Sequence, residues 1–176
     1  MTPRLEDLKN QVLFESLDDS ELQVVLGMLK VVEFSKGAFI FQENDPTKGI
    51  YLIHSGKIEI KRKLQLDTKS KMLVMLRNIK SDEIRHTAHG WENRFAVLEK
   101  GSFFGELSVI ESRRKHSAEC AAMEDTVLLL LPSEEYLKLE ETHVYTVVKI
   151  LKSIAKVTSG NVRQLDRRIL KALMGT

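Results

Sequence analysis

The sequence has 176 residues, of which 43% are hydrophobic and 30% charged, and its formal net charge is +2. That is enough chain for one domain with a real core, too apolar for a disordered segment, and too weakly charged to argue for nucleic acid or an anionic membrane. The single cysteine, Cys120, excludes an intrachain disulfide and cannot build a zinc site alone; it lies in the small apolar run Ala118–Ala122, where a buried structural thiol is expected. The longest apolar run, Val127 to Leu131, is strand-sized, far short of the ~18 residues of a membrane helix. The polar N-terminus has no signal-peptide core, so a soluble cytoplasmic protein is expected.

Residues 5–32 read as helical, with Leu5, Leu8, Val12 and Leu13 at helical spacing and a break at Leu17-Asp-Asp-Ser20. Ser16 or Asp18 can cap the next helix, whose apolar face is Leu22, Val25, Leu26 and Leu29. From Val31 the period becomes two. Val31-Val32-x-Phe34, Phe39-Ile-Phe41, Tyr51-Leu-Ile53 and Ile58-Glu-Ile60 are short β-rich runs punctuated by Gly37, Asn44-Asp-Pro46 and Gly56. Such runs predict an antiparallel barrel or jelly roll, with Asn44 suited to a left-handed turn and His54 read as a turn residue.

Lys61 to Arg94 is harder to place. Met72, Leu73, Met75, Leu76 and Ile79 fit an amphipathic helix or a strand pair equally, and Ser81 to Gly90 reads as polar loop. His86 and His89 lack a third ligand nearby, so no metal site is assigned, and Trp91 is read as a packing residue. Phe95 to Leu98 is a strand. Two more, Ser117–Met123 and Thr126–Leu131, turn at Glu124-Asp125, and a helix follows with Ser133 as N-cap and Glu134-Glu135 in its first turn.

The organising stretch is Gly101 to Ala118, Gly-Ser-Phe-Phe-Gly-Glu-Leu-Ser-Val-Ile-Glu-Ser-Arg-Arg-Lys-His-Ser-Ala. Gly101 and Gly105 allow tight turning, Phe103 and Phe104 anchor the turn, and Glu106 to Ile110 suffices for one helical turn. Free amides at such a helix start, with a glycine-shaped approach, suit a phosphate, and a carboxylate beside them suits a sugar hydroxyl. Arg113, Arg114, Lys115 and His116 are the available counter-charges.

This stretch resembles the phosphate-binding cassette of cyclic nucleotide-binding domains, the family of catabolite activators and protein kinase A regulatory subunits. Phe104-Gly105-Glu106-Leu107 matches the opening of that cassette, and Ser117-Ala118 matches the pair following the family's phosphate-binding arginine. That arginine position holds His116. The resemblance implies a mainly β fold with flanking helices: an antiparallel jelly-roll barrel (double-stranded β-helix) at 31–131, preceded by N-terminal helices over 1–30 and followed by C-terminal helices over 132–176. Residues 61–94 become an insertion, far longer than the family's usual connection. Gly37, Gly56 and Gly101 fall where the family turns its strands. The implied ligand-binding set is Phe104, Gly105, Glu106, Leu107, Ser108, Arg114, Lys115, His116, Ser117 and Thr158, for cyclic AMP or cyclic GMP, with no metal and no cofactor.

From about Val144 to Leu173 the sequence reads as one long helix. Val148, Leu151, Ala155, Thr158, Val162, Leu165, Ile169 and Ala172 form a heptad seam. The resemblance implies that such a helix pairs two protomers and covers the base, where Thr158 and Ser159 could meet it; the alternative is a face packed on its own barrel. Gly160 is a candidate kink. Only three residues follow Leu173, which leaves no winged helix-turn-helix, so DNA binding is not expected and output must pass through an effector protein or through the oligomer.

These residues bear on three functions. A cyclic-nucleotide sensor would bind its phosphate ten- to a hundredfold more weakly without the arginine, because a charge-assisted pair contributes about 1.5–3 kcal/mol. A degenerate domain would keep the barrel as an interaction or dimerisation module. An enzyme is disfavoured: the nucleophile elbow, the zinc-protease helix and the phosphate loop are absent, and the five histidines (54, 86, 89, 116, 143) are scattered.

Overall fold

The computed structural model describes residues 2–65, 67–70, 84–87 and 90–174. Two short helices, α1 (Leu5–Lys9) and α2 (Asp19–Leu26), flank a 3-10 turn at Val12–Phe14. The predicted helical span of 5–32 is therefore interrupted twice and ends early, since β1 already starts at Lys30. Asp18 is the N-cap of α2: its carboxylate accepts from the amides of Ser20 and Glu21 at 3.0 Å, while Glu21 reaches back to the Asp18 amide. That reciprocal cap, strengthened by the Ser20 hydroxyl, is why Asp18 rather than Ser16 starts the helix.

Among the described residues nine strands follow: β1 (Lys30–Phe34), β2 (Phe39–Phe41), β3 (Gly49–Ser55), β4 (Lys57–Leu64), β5 (Ile84–Thr87), β6 (Gly90–Glu99), β7 (Phe103–Phe104), β8 (Glu119–Ala122) and β9 (Thr126–Pro132). They form two antiparallel sheets, β1-β9-β3-β7 and β2-β8-β4-β6-β5. Asn44 takes φ 73°, the left-handed turn its side chain tolerates, and Gly37, Gly56 and Gly101 all have positive φ.

Strand β3 shows how the sequence builds two cores. Ile50 and Leu52, with Leu129 and Leu131 of β9, face the helices, while Tyr51 and Ile53, with Leu128 and Leu130, face the barrel interior. Both faces are covered, so these strands read as continuous apolar runs rather than alternating ones. His54 lies within β3, not in a turn. Its Nδ1 stands 3.9 Å from an Asp7 carboxylate oxygen.

The insertion assigned to 61–94 begins and ends in regular structure. β4 and β6 pair from Lys57–Glu99 out to Leu64–Trp91, with a register irregularity between Ile60 and Lys61. β5 then pairs along the outer part of β6, so 84–87 is strand where a polar loop was expected. Ile84 and Thr87 are β-branched and partly buried, which suits an edge strand, and His86 meets the edge of Trp91 at 5.1 Å. The predicted element at Met72–Ile79 and His89 lie outside the described residues.

Helix α3 (Glu106–Ile110) interrupts the barrel, and α4 (Ser133–Thr142) and α5 (Val144–Met174) close the chain. Pro132, with φ −59°, is the N-cap of α4, so Ser133 is the first helical residue and not the cap. Its amide donates to the Lys48 carbonyl at 2.9 Å. α5 is one helix through Gly160. Val147, Ile150 and Ile154 bury one face against the helical core, while Val148, Leu151, Val162 and Leu165 of the seam remain exposed, up to 60% at Val162. The seam is therefore not the face that packs on the chain's own core.

Candidate functional site

Gly101 donates to the Ile53 carbonyl and accepts from the Val12 amide, joining the cassette to β3 and to the N-terminal helices. β7 then pairs briefly with β3, placing Phe103 on the helical side and Phe104 on the barrel side. Gly105 turns the chain with φ 83° and ψ −8° and is the N-cap of α3. A Cβ there would sit 3.0 Å from the Gly49 carbonyl oxygen and 3.3 Å from Tyr51 Cδ2, so both conformation and space select glycine. Glu106 starts α3, Val109 buries its inner face, and Leu107 is half exposed. Burial pushes the Glu106 carboxyl above its ordinary range.

The descending half of the cassette is pinned to the turn between β2 and β3. Thr47 donates to the Arg114 carbonyl, Lys115 bridges Pro46, and His116 exchanges backbone hydrogen bonds with Asn44 and Asp45. Arg113 is ion-paired with Glu111. Arg114, Lys115 and Ser117 are exposed, whereas His116 is 3% exposed.

His116 lies flat on Phe41, and Phe41, Tyr51 and Phe104 form a continuous aromatic cluster, with Tyr51 and Phe104 stacked at 5.1 Å. The imidazole Nε2 has no hydrogen-bond partner. Burial lowers its pKa, only partly offset by Asp45, so the ring is neutral at neutral pH.

The predicted site residues do not all come together, and Arg114, Lys115 and Ser117 stand exposed on the descending half of the cassette. Phe104, Gly105, Glu106, Leu107 and Ser108 form one bend. His116 joins that bend through Phe41, because both His116 and Phe104 contact the same ring. Thr158 stands half-buried on α5, one turn past Ile154, and no hydrogen bond links it to the cassette. Sequence reading missed Arg62. Its Nε donates to the Ser117 carbonyl at 3.0 Å. The available signal was register: Arg62 follows Ile58 and Ile60 at a period of two, a charge continuing an apolar face.

On the opposite face of this sheet a cleft of about 220 Å³ is lined by Phe39, Lys61, Trp91, Glu92 and Glu119 among others, none of them in the cassette. Cys120 is buried in the barrel, and burial raises its thiol pKa far above the ordinary value. Among the described residues no group of three or more His, Cys, Asp or Glu could hold a metal ion, and no helix is long and apolar enough to cross a membrane.

A two-sheet antiparallel barrel, interrupted by a glycine-capped helical turn carrying a glutamate and closed by a long helix, defines the class of a cyclic nucleotide-binding-type domain. The comparisons agree. The family model described as cyclic nucleotide-binding domain matches residues 81–143. The cyclic AMP receptor protein of Thermus thermophilus is 26% identical over 159 residues, which is 90% of this chain and 61% of that protein. Solute carrier family 9 member C1 of Mus musculus is 28% identical over 129 residues, 71% of this chain and 10% of its own length. Among solved structures, the Thermus thermophilus catabolite activator protein superposes with a TM-score of 0.64 at 25% identity, over 90% of this chain and 62% of that one. A cyclic nucleotide-binding domain from Methylobacillus flagellatus gives 0.70 at 17% identity, covering 94% and 82%. The chain is thus similar to cyclic nucleotide-binding domains in fold and over part of its sequence, and it spans about three fifths of the Thermus relative.

Proposed function

We propose that this chain is a cyclic nucleotide-binding regulatory domain that takes cyclic AMP or cyclic GMP with altered, weakened phosphate recognition. The observation that carries this reading is the left-handed Gly105 turn delivering Glu106 into a half-buried position, while His116, at the family's arginine position, lies stacked on Phe41. Glu106 would accept from the ribose hydroxyl, the amides of Glu106 and Leu107 would face the phosphate, and Ser117 would add a hydroxyl. A neutral imidazole packed against an aromatic ring offers no permanent charge, whereas a guanidinium would.

The exposed seam of α5 supports dimerisation through that helix, with Thr158 and Ser159 in or beside it. The domain would act in the cytoplasm as a regulator rather than an enzyme. A second reading, a degenerate barrel used as a dimerisation module, is favoured by one observation: aromatic rings and His116 fill the interior behind the cassette.

Calorimetric titration with cyclic AMP and cyclic GMP, with His116→Arg run beside the natural chain, separates the two. Saturable binding, tightened at least tenfold in the variant (about 1.4 kcal/mol), is expected for the sensor. Stabilisation by millimolar cyclic nucleotide of less than a few tenths of a kcal/mol would leave the module.

A further inference from the structure

We propose that Arg62 of β4 supplies the guanidinium that neutralises the phosphate of the bound cyclic nucleotide, in place of an arginine within the cassette. This rests on the cyclic nucleotide reading given above.

Strand register puts Arg62 on the correct side of the sheet. Ile58 is fully buried in the barrel core and Ile60 packs against that core, so Arg62, two residues on, continues the same face. Glu59 and Lys61 occupy the other face, where their charges meet each other and Glu92 and Glu119. Arg62 stands where β4 leaves the buried core, and it is exposed. Its side chain crosses to the end of the cassette, where Nε–H donates to the Ser117 carbonyl at 3.0 Å.

That bond uses one of five guanidinium donors. Among the described residues no carboxylate pairs with Arg62, and its two Nη groups make no hydrogen bond. The side chain is therefore held by its Nε with its fork uncommitted, beside Ser117. Two parallel N–H donors match two oxygens of a phosphodiester, with charge that does not depend on pH.

The other cations near the cassette are placed differently. Arg113 pairs with Glu111. Arg114 and Lys115 are exposed on a segment whose backbone is strapped to Pro46 and Thr47. His116 is buried against Phe41 and uncharged. With the guanidinium on β4, the residue at the cassette's arginine position is free to fill the aromatic cluster, as His116 does on Phe41.

The test uses the whole chain and four proteins: natural, Arg62→Leu, Arg62→Lys, and Arg62→Leu combined with His116→Arg. Each is titrated with cyclic AMP and with adenosine, which keeps the base and ribose but lacks the phosphate. Arg62→Leu is expected to lose about ten- to a hundredfold in cyclic AMP affinity, to leave adenosine binding unchanged, and to flatten the salt dependence of cyclic AMP binding. Arg62→Lys keeps the charge without the fork and falls between. Adding His116→Arg restores affinity to Arg62→Leu. Arg62 is exposed and makes one side-chain hydrogen bond, so the variants should fold, and thermal melting checks this. Unchanged cyclic AMP affinity in Arg62→Leu, or equal losses for cyclic AMP and adenosine, overturns the role of Arg62 and leaves the nucleotide reading standing. No binding of cyclic AMP or cyclic GMP by either the natural chain or His116→Arg overturns both.

Discussion

His116 and Phe41 lie face to face, with ring centroids 3.7 Å apart and planes 7° from parallel. A protonated imidazole in that position would have lost most of its water, and burial accordingly lowers its pKa below 6.5. The unfolded chain then binds the proton more readily than the folded one. Stability from this group is present above pH 6.5 and is lost as pH falls through 6.5 toward the lower folded value. His116→Phe keeps the stack and removes the titration. Urea melts should show the natural chain losing up to about 1 kcal/mol between pH 7 and 5.5 relative to the variant. Parallel curves for the two would mean that His116 is hydrated when folded.

Glu106 titrates with the opposite sign. Burial raises its carboxyl pKa above 4.5, so the charged form is disfavoured in the folded state. Its contribution is lost as pH rises from 4.5 through the folded value. Glu106→Gln should therefore stabilise the chain at pH 7, by under about 1 kcal/mol, and leave stability unchanged near pH 3, where both side chains are neutral. On the proposed reading cyclic nucleotide affinity should fall in the same variant, because a neutral amide oxygen accepts from the ribose hydroxyl more weakly than a carboxylate. A gain in melting temperature with no loss of affinity would remove Glu106 from the site.

The cassette was legible because its chemistry is local. Glycine and glutamate at fixed offsets after two phenylalanines specify a bend with few alternatives, and the bend is present. What stayed hidden was long-range. Nothing in His116's neighbours along the chain indicates that it meets Phe41, since that contact depends on Asn44 and Asp45 pinning the cassette across the barrel. Arg62 was concealed by the run Lys61-Arg-Lys63, which reads as a solvated face until strand register splits it. The extension of β4 and β6 was missed for the same reason, because Glu59, Lys61 and Glu92 are half-buried or buried charges that resemble surface residues until they pair.

The two faces of α5 should separate stability from association. Ile154 packs in the helical core, 4% exposed, whereas Val162 and Leu165 are 60% and 57% exposed. Ile154→Ala should lower stability by about 2–4 kcal/mol through lost burial and a cavity. Val162→Glu combined with Leu165→Glu should abolish the proposed dimer in sedimentation equilibrium and leave the melting of dilute monomer nearly unchanged. A natural chain that sediments as a monomer at high concentration would assign the seam another role.

Lys61 is the keystone of the charged face behind the pocket. Its Nζ lies 3.1 Å from Glu92, 3.3 Å from Glu119 and 3.7 Å from Glu59, which also binds Arg85. Burial alone would push the ammonium pKa down, yet hydrogen bonds and charge from Glu92 and Glu119 outweigh it, and the net shift is upward. The attraction therefore exceeds the desolvation of the lysine, but the two carboxylates, 7% and 5% exposed as residues, depend on it. Lys61→Met keeps the length and removes the charge. It should cost about 2–3 kcal/mol at pH 7, less than a fully dry pair because Lys61 keeps some exposure. Lowering the pH should restore part of that loss in Lys61→Met, since protonation neutralises the stranded carboxylates. Glu119→Gln added to Lys61→Met should recover part of it at pH 7 as well. Little cost at either pH 7 or pH 4 would show that Lys61 stabilises the sheet by packing its methylenes, which Met retains, on Phe39, whose ring centroid is 5.9 Å from Nζ, rather than by its charge.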